Sequence, residues 1–271
     1  IVKGSGHIKF GYHTTPAIIN YWGNYSQTGG EIKSAADPGT WVTINSRGVN
    51  KTIAVSTSAS FNTNYINWVI ASGAVIDLAS NMYFFGDDAT SPSNAMVTVN
   101  GRLNCNGYAI TDEYFKSYFT PTSGNGKFIL ADGGTLGIGH VNGITSSGSG
   151  FQGPILGFSP APAFGNIQIS DRTFSTKANY IYNGNSGQVT GSGLPGTVNS
   201  LIIDNSGTAS KTVSLTNDVT VTSLHEMDQG IFSLGSKNVT LHSGPDTTAT
   251  FGRMGTGSSI SYGTGRYLVE R

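Results

Sequence analysis

Short runs of alternating apolar and small polar residues return along this chain about every 20 residues, and that recurrence limits the possible folds more than any single motif does. In the C-terminal third, VNSLII begins at Val198, VTVTSL at Val219 and VTLHS at Val239, steps of 21 and 20. A second track interleaves with the first: TVSL at Thr212 is followed by IFSL at Ile231, a step of 19, each after a polar corner. The N-terminal half keeps a similar beat, with TIAV at Thr52, AVIDL at Ala74 and MVTV at Met96 in steps of 22. The halves also match directly. KTIAVSTSASF at Lys51 answers KTVSLTNDVTV at Lys211, and GAVIDLASNMYFF at Gly73 answers GIFSLGSKNVTL at Gly230.

Alternation with period 2 sends successive side chains to opposite faces of a strand, so each run buries one face only. An apolar strand, a Gly or Ser corner and another strand on a fixed rung predict a parallel β-solenoid with coils of about 20 residues, each coil sheltered by the coils above and below. At ~4.8 Å per coil the chain would make roughly ten to twelve coils, a rod on the order of 50 Å long. The alternative is an antiparallel β-sandwich. Asn-Gly pairs at Asn100, Asn106, Asn125, Asn142 and Asn183 favour it, because that dipeptide suits two-residue hairpins. The return of like with like favours the solenoid. Helix signals are nearly absent; TDEYFKSYF, Thr111 to Phe119, is the exception, with Thr111 as a candidate cap. Residues 1–50, aromatic and turn-rich, read as an irregular N-terminal cap, and 51–271 as the repeat domain. Residues 146–166, which include FSPAPAFGN, read as a protruding loop.

Lys plus Arg and Asp plus Glu number 15 each, and charged residues are 11% of the chain. No net field exists to draw in nucleic acid or an anionic membrane. No apolar run approaches the ~20 residues of a membrane-spanning helix. Cys105 is the single cysteine, which rules out an intrachain disulfide and a multi-cysteine zinc site. The chain opens on IVKGSGHIKF and closes on the strand-like GRYLVER, so it is expected to be a processed product or a fragment of a longer polypeptide.

Motifs for chemistry are sparse. His7, His13, His140, His225 and His242 lack HxH or HExxH spacing and read as solvated side chains, and Cys105 reads as a small buried hydrophobe. The carboxylate pairs Asp87/Asp88, Asp112/Glu113 and Glu226/Asp228 read as water-facing corners. Within FGDDATSPSN, Asp87 and Asp88 are the candidate calcium ligands, and no other cofactor is expected. Tyr12, Tyr21, Trp22, Tyr25 and Trp41 crowd the N-terminal segment. They are the candidate binding residues, since flat aromatic faces grip sugars; the competing reading is that they plug the end of the core.

One segment resembles a known group of sequences. KANYIYNGNSGQVTGSGLPGTVNSLIIDNSG, Lys177 to Gly207, continuing through KTVSLTNDVTVTSLHEMDQGIFSLGSKNVTL, resembles repeat regions of secreted and cell-surface proteins from Bacteroidetes. Many of these are modular polypeptides exported by the type IX route, including surface adhesins of gliding species. ADGGTLGIGHVNGI, Ala131 to Ile144, is similar to the phrase that commonly precedes that segment. The resemblance covers about the second half of the chain and carries no functional residues, and no type IX sorting domain is recognisable. It implies an extracellular or cell-surface, noncatalytic module, an adhesin, stalk or spacer that contacts glycans, other surface proteins or further copies of itself. The alternative from another class is a polysaccharide lyase or hydrolase with a loop-borne acidic cluster.

Overall fold

The computed structural model describes residues 7–10, 17–28, 30–34, 41–55, 59–63, 66–85, 95–117, 120–123, 126–147, 164–169 and 171–270. Over these residues the protein is all β, with 28 strands and no α-helix. The strands form four sheets whose neighbours are distant in sequence. The first contains β1 (His7–Phe10), β4 (Gly30–Ser34), β7 (Ala59–Thr63), β10 (Met82–Phe85) and β13 (Ile110–Ser117), with β14 (Thr120–Ser123) and β17 (Ile167–Gln168) both on β13. The second runs through β2 (Ala17–Tyr21), β5 (Val42–Ser46), β8 (Ile66–Ile70), β11 (Met96–Val99), β15 (Lys127–Leu130) and β18 (Asp171–Phe174).

The third sheet is the longest. It starts with β3 (Tyr25–Gln27), β6 (Lys51–Val55), β9 (Val75–Leu78), β12 (Arg102–Asn104), β16 (Thr135–Ile138) and β19 (Asn179–Tyr182). It continues through β21 (Thr197–Asp204), β23 (Val219–Gln229), β25 (Val239–Leu241) and β28 (Tyr267–Val269), with β26 (Thr250–Met254) also on β23. The fourth holds β20 (Gln188–Val189), β22 (Thr212–Ser214), β24 (Ile231–Ser233) and β27 (Ser259–Ser261). In the first half of the chain, neighbours within a sheet differ by three in strand order: each passage of the chain adds one strand to each of three sheets. Among the described strands every pairing is parallel except β13 with β14, which removes the antiparallel sandwich.

Alternation decides which side chains go inside. In β8 the sequence INWVI buries Ile66, Trp68 and Ile70 and leaves Asn67 and Val69 half-buried on the other face. Parallel register then stacks inward positions into rows. One row in the third sheet runs Ile76, Leu103, Leu136, Tyr180, Leu201, His225 and Phe251. The first six are fully enclosed, so each side chain is shielded mainly by the equivalents above and below it. At the C-terminal edge the rows come to the surface: Val269 follows buried Leu241 and is 64% exposed.

Several expectations change. The rung is not uniform. Thr212 pairs with Ile231 and Val219 with Val239, steps of 19 and 20, but Val42 pairs with Ile66, a step of 24, and Met96 with Lys127, a step of 31. Corners of unequal length account for the difference. Val198 lies beside Val221, two residues past the expected Val219, and the even slip keeps both inside. MVTV belongs to the second sheet, beside β8, and not above AVIDL. The stretch expected as a helix is strand β13, whose residues 110–113 pair with β10; a waiting strand edge satisfies the backbone there and overrides local helical spacing. Residues 7–46, expected to belong to a cap, contribute five strands that continue the same three sheets. Most of the loop expected at 146–166 lies outside the described residues, but its two ends meet. Ile144 bridges Gly165, Asn166 N donates to Gly143 O at 3.0 Å, and Thr145 Oγ1 donates to Phe164 O at 3.1 Å.

Candidate functional site

The outward face of the third sheet and the corners that follow its strands form a cleft of about 670 Å³, lined in part by Thr52, Asp77, Asn106, Tyr108, Gly139, Asn183 and Asn185. Parallel register sets Thr52 beside Asp77, Asp77 beside Asn104 and Asn104 beside Gly137, one residue per strand. Asn104 Nδ2 donates to Asp77 Oδ1 at 2.5 Å, while Asn104 Oδ1 accepts from Arg102 Nε at 2.9 Å. A chain of bonds therefore fixes the Asp77 carboxylate and leaves its second oxygen without a partner among the described residues.

At the next corner Asn106 takes a left-handed backbone, φ 52°, a conformation asparagine tolerates better than most residues, and its Nδ2 donates to Leu78 O at 2.9 Å. That turn stands Tyr108 at the surface, 37% exposed. Glycine keeps the floor low. A Cβ on Gly139 would run into the Asn106 backbone carbonyl, whereas one on Gly107 would meet nothing within 4 Å. Asn183 Oδ1 is buried without a hydrogen-bond partner. Among the described residues lining the cleft, Asp77 is the single carboxylate, and no Lys, Arg or His joins it. Glycoside hydrolysis needs two carboxyl groups flanking the bond, ~5 Å or ~6.5–9.5 Å apart. The cleft presents a fixed acceptor, amide groups and an aromatic ring.

The residues singled out from sequence lie elsewhere, and of them the structure brings together Tyr21 and Tyr25, whose ring centroids are 6.2 Å apart. Tyr21 and Tyr25 are half-buried and pack against Trp68, with ring centroids 6.2 and 5.0 Å from it. Trp68 Nε1 donates to Ser46 Oγ at 2.9 Å, Tyr21 Oη bonds the same hydroxyl, and Tyr25 Oη donates to Gln27 at 2.8 Å. Burial pushes the Tyr21 phenol up to about 12. Trp22 is 62% exposed and Trp41 half-buried. Tyr12, Asp87 and Asp88 lie outside the described residues. No group of three His, Cys, Asp or Glu side chains among the described residues is placed to hold a metal.

Two polar residues expected in water are enclosed. His225 is fully buried among Phe232, Phe251 and Tyr267; its Nδ1 donates to Leu201 O at 2.9 Å, and desolvation lowers its pKa to about 4. Asp112 is also fully buried and accepts from Gly126 N at 2.8 Å. Glu226 and Asp228, two residues apart on β23, share one face and both pair with Arg253 of β26, at 3.5 Å for Glu226. Cys105 is buried as expected, and burial raises its thiol pKa.

The cleft residues escaped the sequence reading. Asp77 sits at an outward place in AVIDL, but only the register to Thr52 and Asn104 makes that place a site. The family models, the curated proteins and the solved structures compared with this chain yield no match.

Proposed function

We propose that the chain is a parallel β-solenoid module of an extracellular bacterial surface protein, and that its cleft holds polysaccharide without cleaving it. Sheets whose neighbours step by three in strand order, with inward rows in vertical register, support the solenoid. Ten strands in the third sheet, at ~4.8 Å each, correspond to a rod of roughly 45 Å. The resemblance of Lys177 to Leu241 to Bacteroidetes surface repeats supports the location. The binding reading is carried by the cleft, where a carboxylate fixed on strand β9 faces the exposed Tyr108 ring and the Asn183 and Asn185 side chains of the neighbouring corners.

Native gels cast with individual polysaccharides, paired with an assay for newly formed chain ends with and without calcium, test this directly. At least one polymer retards the protein and none is shortened. Tyr108→Ala removes a stacking ring and weakens retention about tenfold. Gly107→Phe fills the cleft from a position with room for a side chain and abolishes retention, and both variants keep the parent melting temperature. Chain cleavage would establish the enzyme reading instead, and retention indifferent to both substitutions would remove the cleft from the function.

A further inference from the structure

Asp77 carries the only formal charge among the described residues that line the cleft. We infer that, granted the polysaccharide reading above, the cleft selects uncharged polysaccharides and rejects anionic ones such as uronates and sulfated glycans. The second oxygen of Asp77 has no partner among the described residues and is left to accept from a ligand. Asn106 Nδ2, a donor of the kind an anion needs, is already committed to Leu78 O. Arg102, the cation bonded into the network, points its Nε at Asn104, and its field reaches Asp204 farther along the same face.

A ligand that satisfies the free Asp77 oxygen must bring a donor, and a sugar hydroxyl brings one without a charge to desolvate. A carboxylate or sulfate brings only acceptors and meets Asp77 at like charge in a partly enclosed site, where the repulsion is poorly screened. An ammonium finds a single carboxylate, already bonded to Asn104, which compensates poorly for stripping its water.

The test compares a neutral glucan, a neutral mannan, chitosan and polygalacturonate in native affinity gels, using the parent protein, Asp77→Asn and Tyr108→Ala. The parent is retarded by a neutral polymer and not by polygalacturonate at low ionic strength. Asp77→Asn replaces a charged acceptor by a neutral one of the same shape and weakens neutral retention about fivefold, while polygalacturonate retention rises. An unchanged melting temperature shows that the variant folds. Tyr108-dependent retention strongest on polygalacturonate or chitosan, or neutral retention unmoved by Asp77→Asn, overturns the charge assignment and leaves the binding function standing. Absence of Tyr108-dependent retention on every polymer overturns both.

Discussion

His225 occupies an inward place that the adjacent rounds fill with Leu201 and Phe251. Its Nδ1 must carry the proton to donate to Leu201 O, which leaves Nε2 a buried acceptor without a hydrogen-bond partner. The folded ring stays neutral down to about pH 4, whereas the unfolded ring takes up a proton below about 6.5. Stability is therefore complete above pH 6.5, falls as the pH drops toward 4, and levels off below that. The loss amounts to about 3 kcal/mol at 1.36 kcal/mol per pH unit. Denaturant unfolding at pH 7 and pH 4 will show this difference, and His225→Phe will remove most of it. His140, whose pKa is also lowered by burial, supplies a remainder of the same sign. Nothing in LHEM announces a buried histidine. Inward parity is readable there only once the strand's register is known, and a polar residue at an inward place reads from sequence as a surface one.

At the scale of single elements, β18 ends a row with a charge. Ile19, Ile44, Trp68, Val97 and Phe128 stack in register, and Arg172 follows them. Its Nη1 donates to Thr145 O at 3.0 Å and Ile167 O at 2.6 Å, its Nε to Ile169 O at 2.9 Å, and the buried Asp112 carboxylate lies within its field. This guanidinium ties the corner at Thr145 to the start of β17 at Ile167. Arg172→Met will destabilise the protein by about 3 kcal/mol, because it leaves three carbonyls short of a donor and removes a cation whose field reaches the buried Asp112. Hydrogen exchange will quicken first around Thr145 and Ile167; uniform quickening along the chain would contradict the local role. The class of element was legible in the sequence: alternation, scarce helix signals and the steps of 19 and 20 in the C-terminal third all correspond to parallel strands. Register was not. Corners absorb insertions at little energetic cost, so the step widens to 24 between β5 and β8 and to 31 between β11 and β15, which hides β8 from a search for a fixed period. The Asn-Gly pair at 106–107 misled for a related reason, since a left-handed asparagine serves a corner as well as a hairpin.

For the whole molecule, cohesion comes from rows of apolar side chains and from hydrogen bonds between rounds, with little help from charge. The described ion pairs Lys127 with Asp171 and Lys177 with Asp132, at 3.4 and 3.7 Å, are well exposed on both sides, and such pairs contribute ~0–1 kcal/mol. Raising sodium chloride from about 0.1 M to about 1 M will shift the melting temperature by no more than about 3 °C. A larger drop would show that surface charges hold the sheets together.

Among the described strands the widest separation in a ladder, from Ile110 to Ile167, covers only about a fifth of the chain, and most partners lie within half that distance. A polypeptide wired in this way need not wait for its far end before it sets. Each stretch arriving in order finds the strand it will bond to already laid down, so consolidation can advance as a front along the chain.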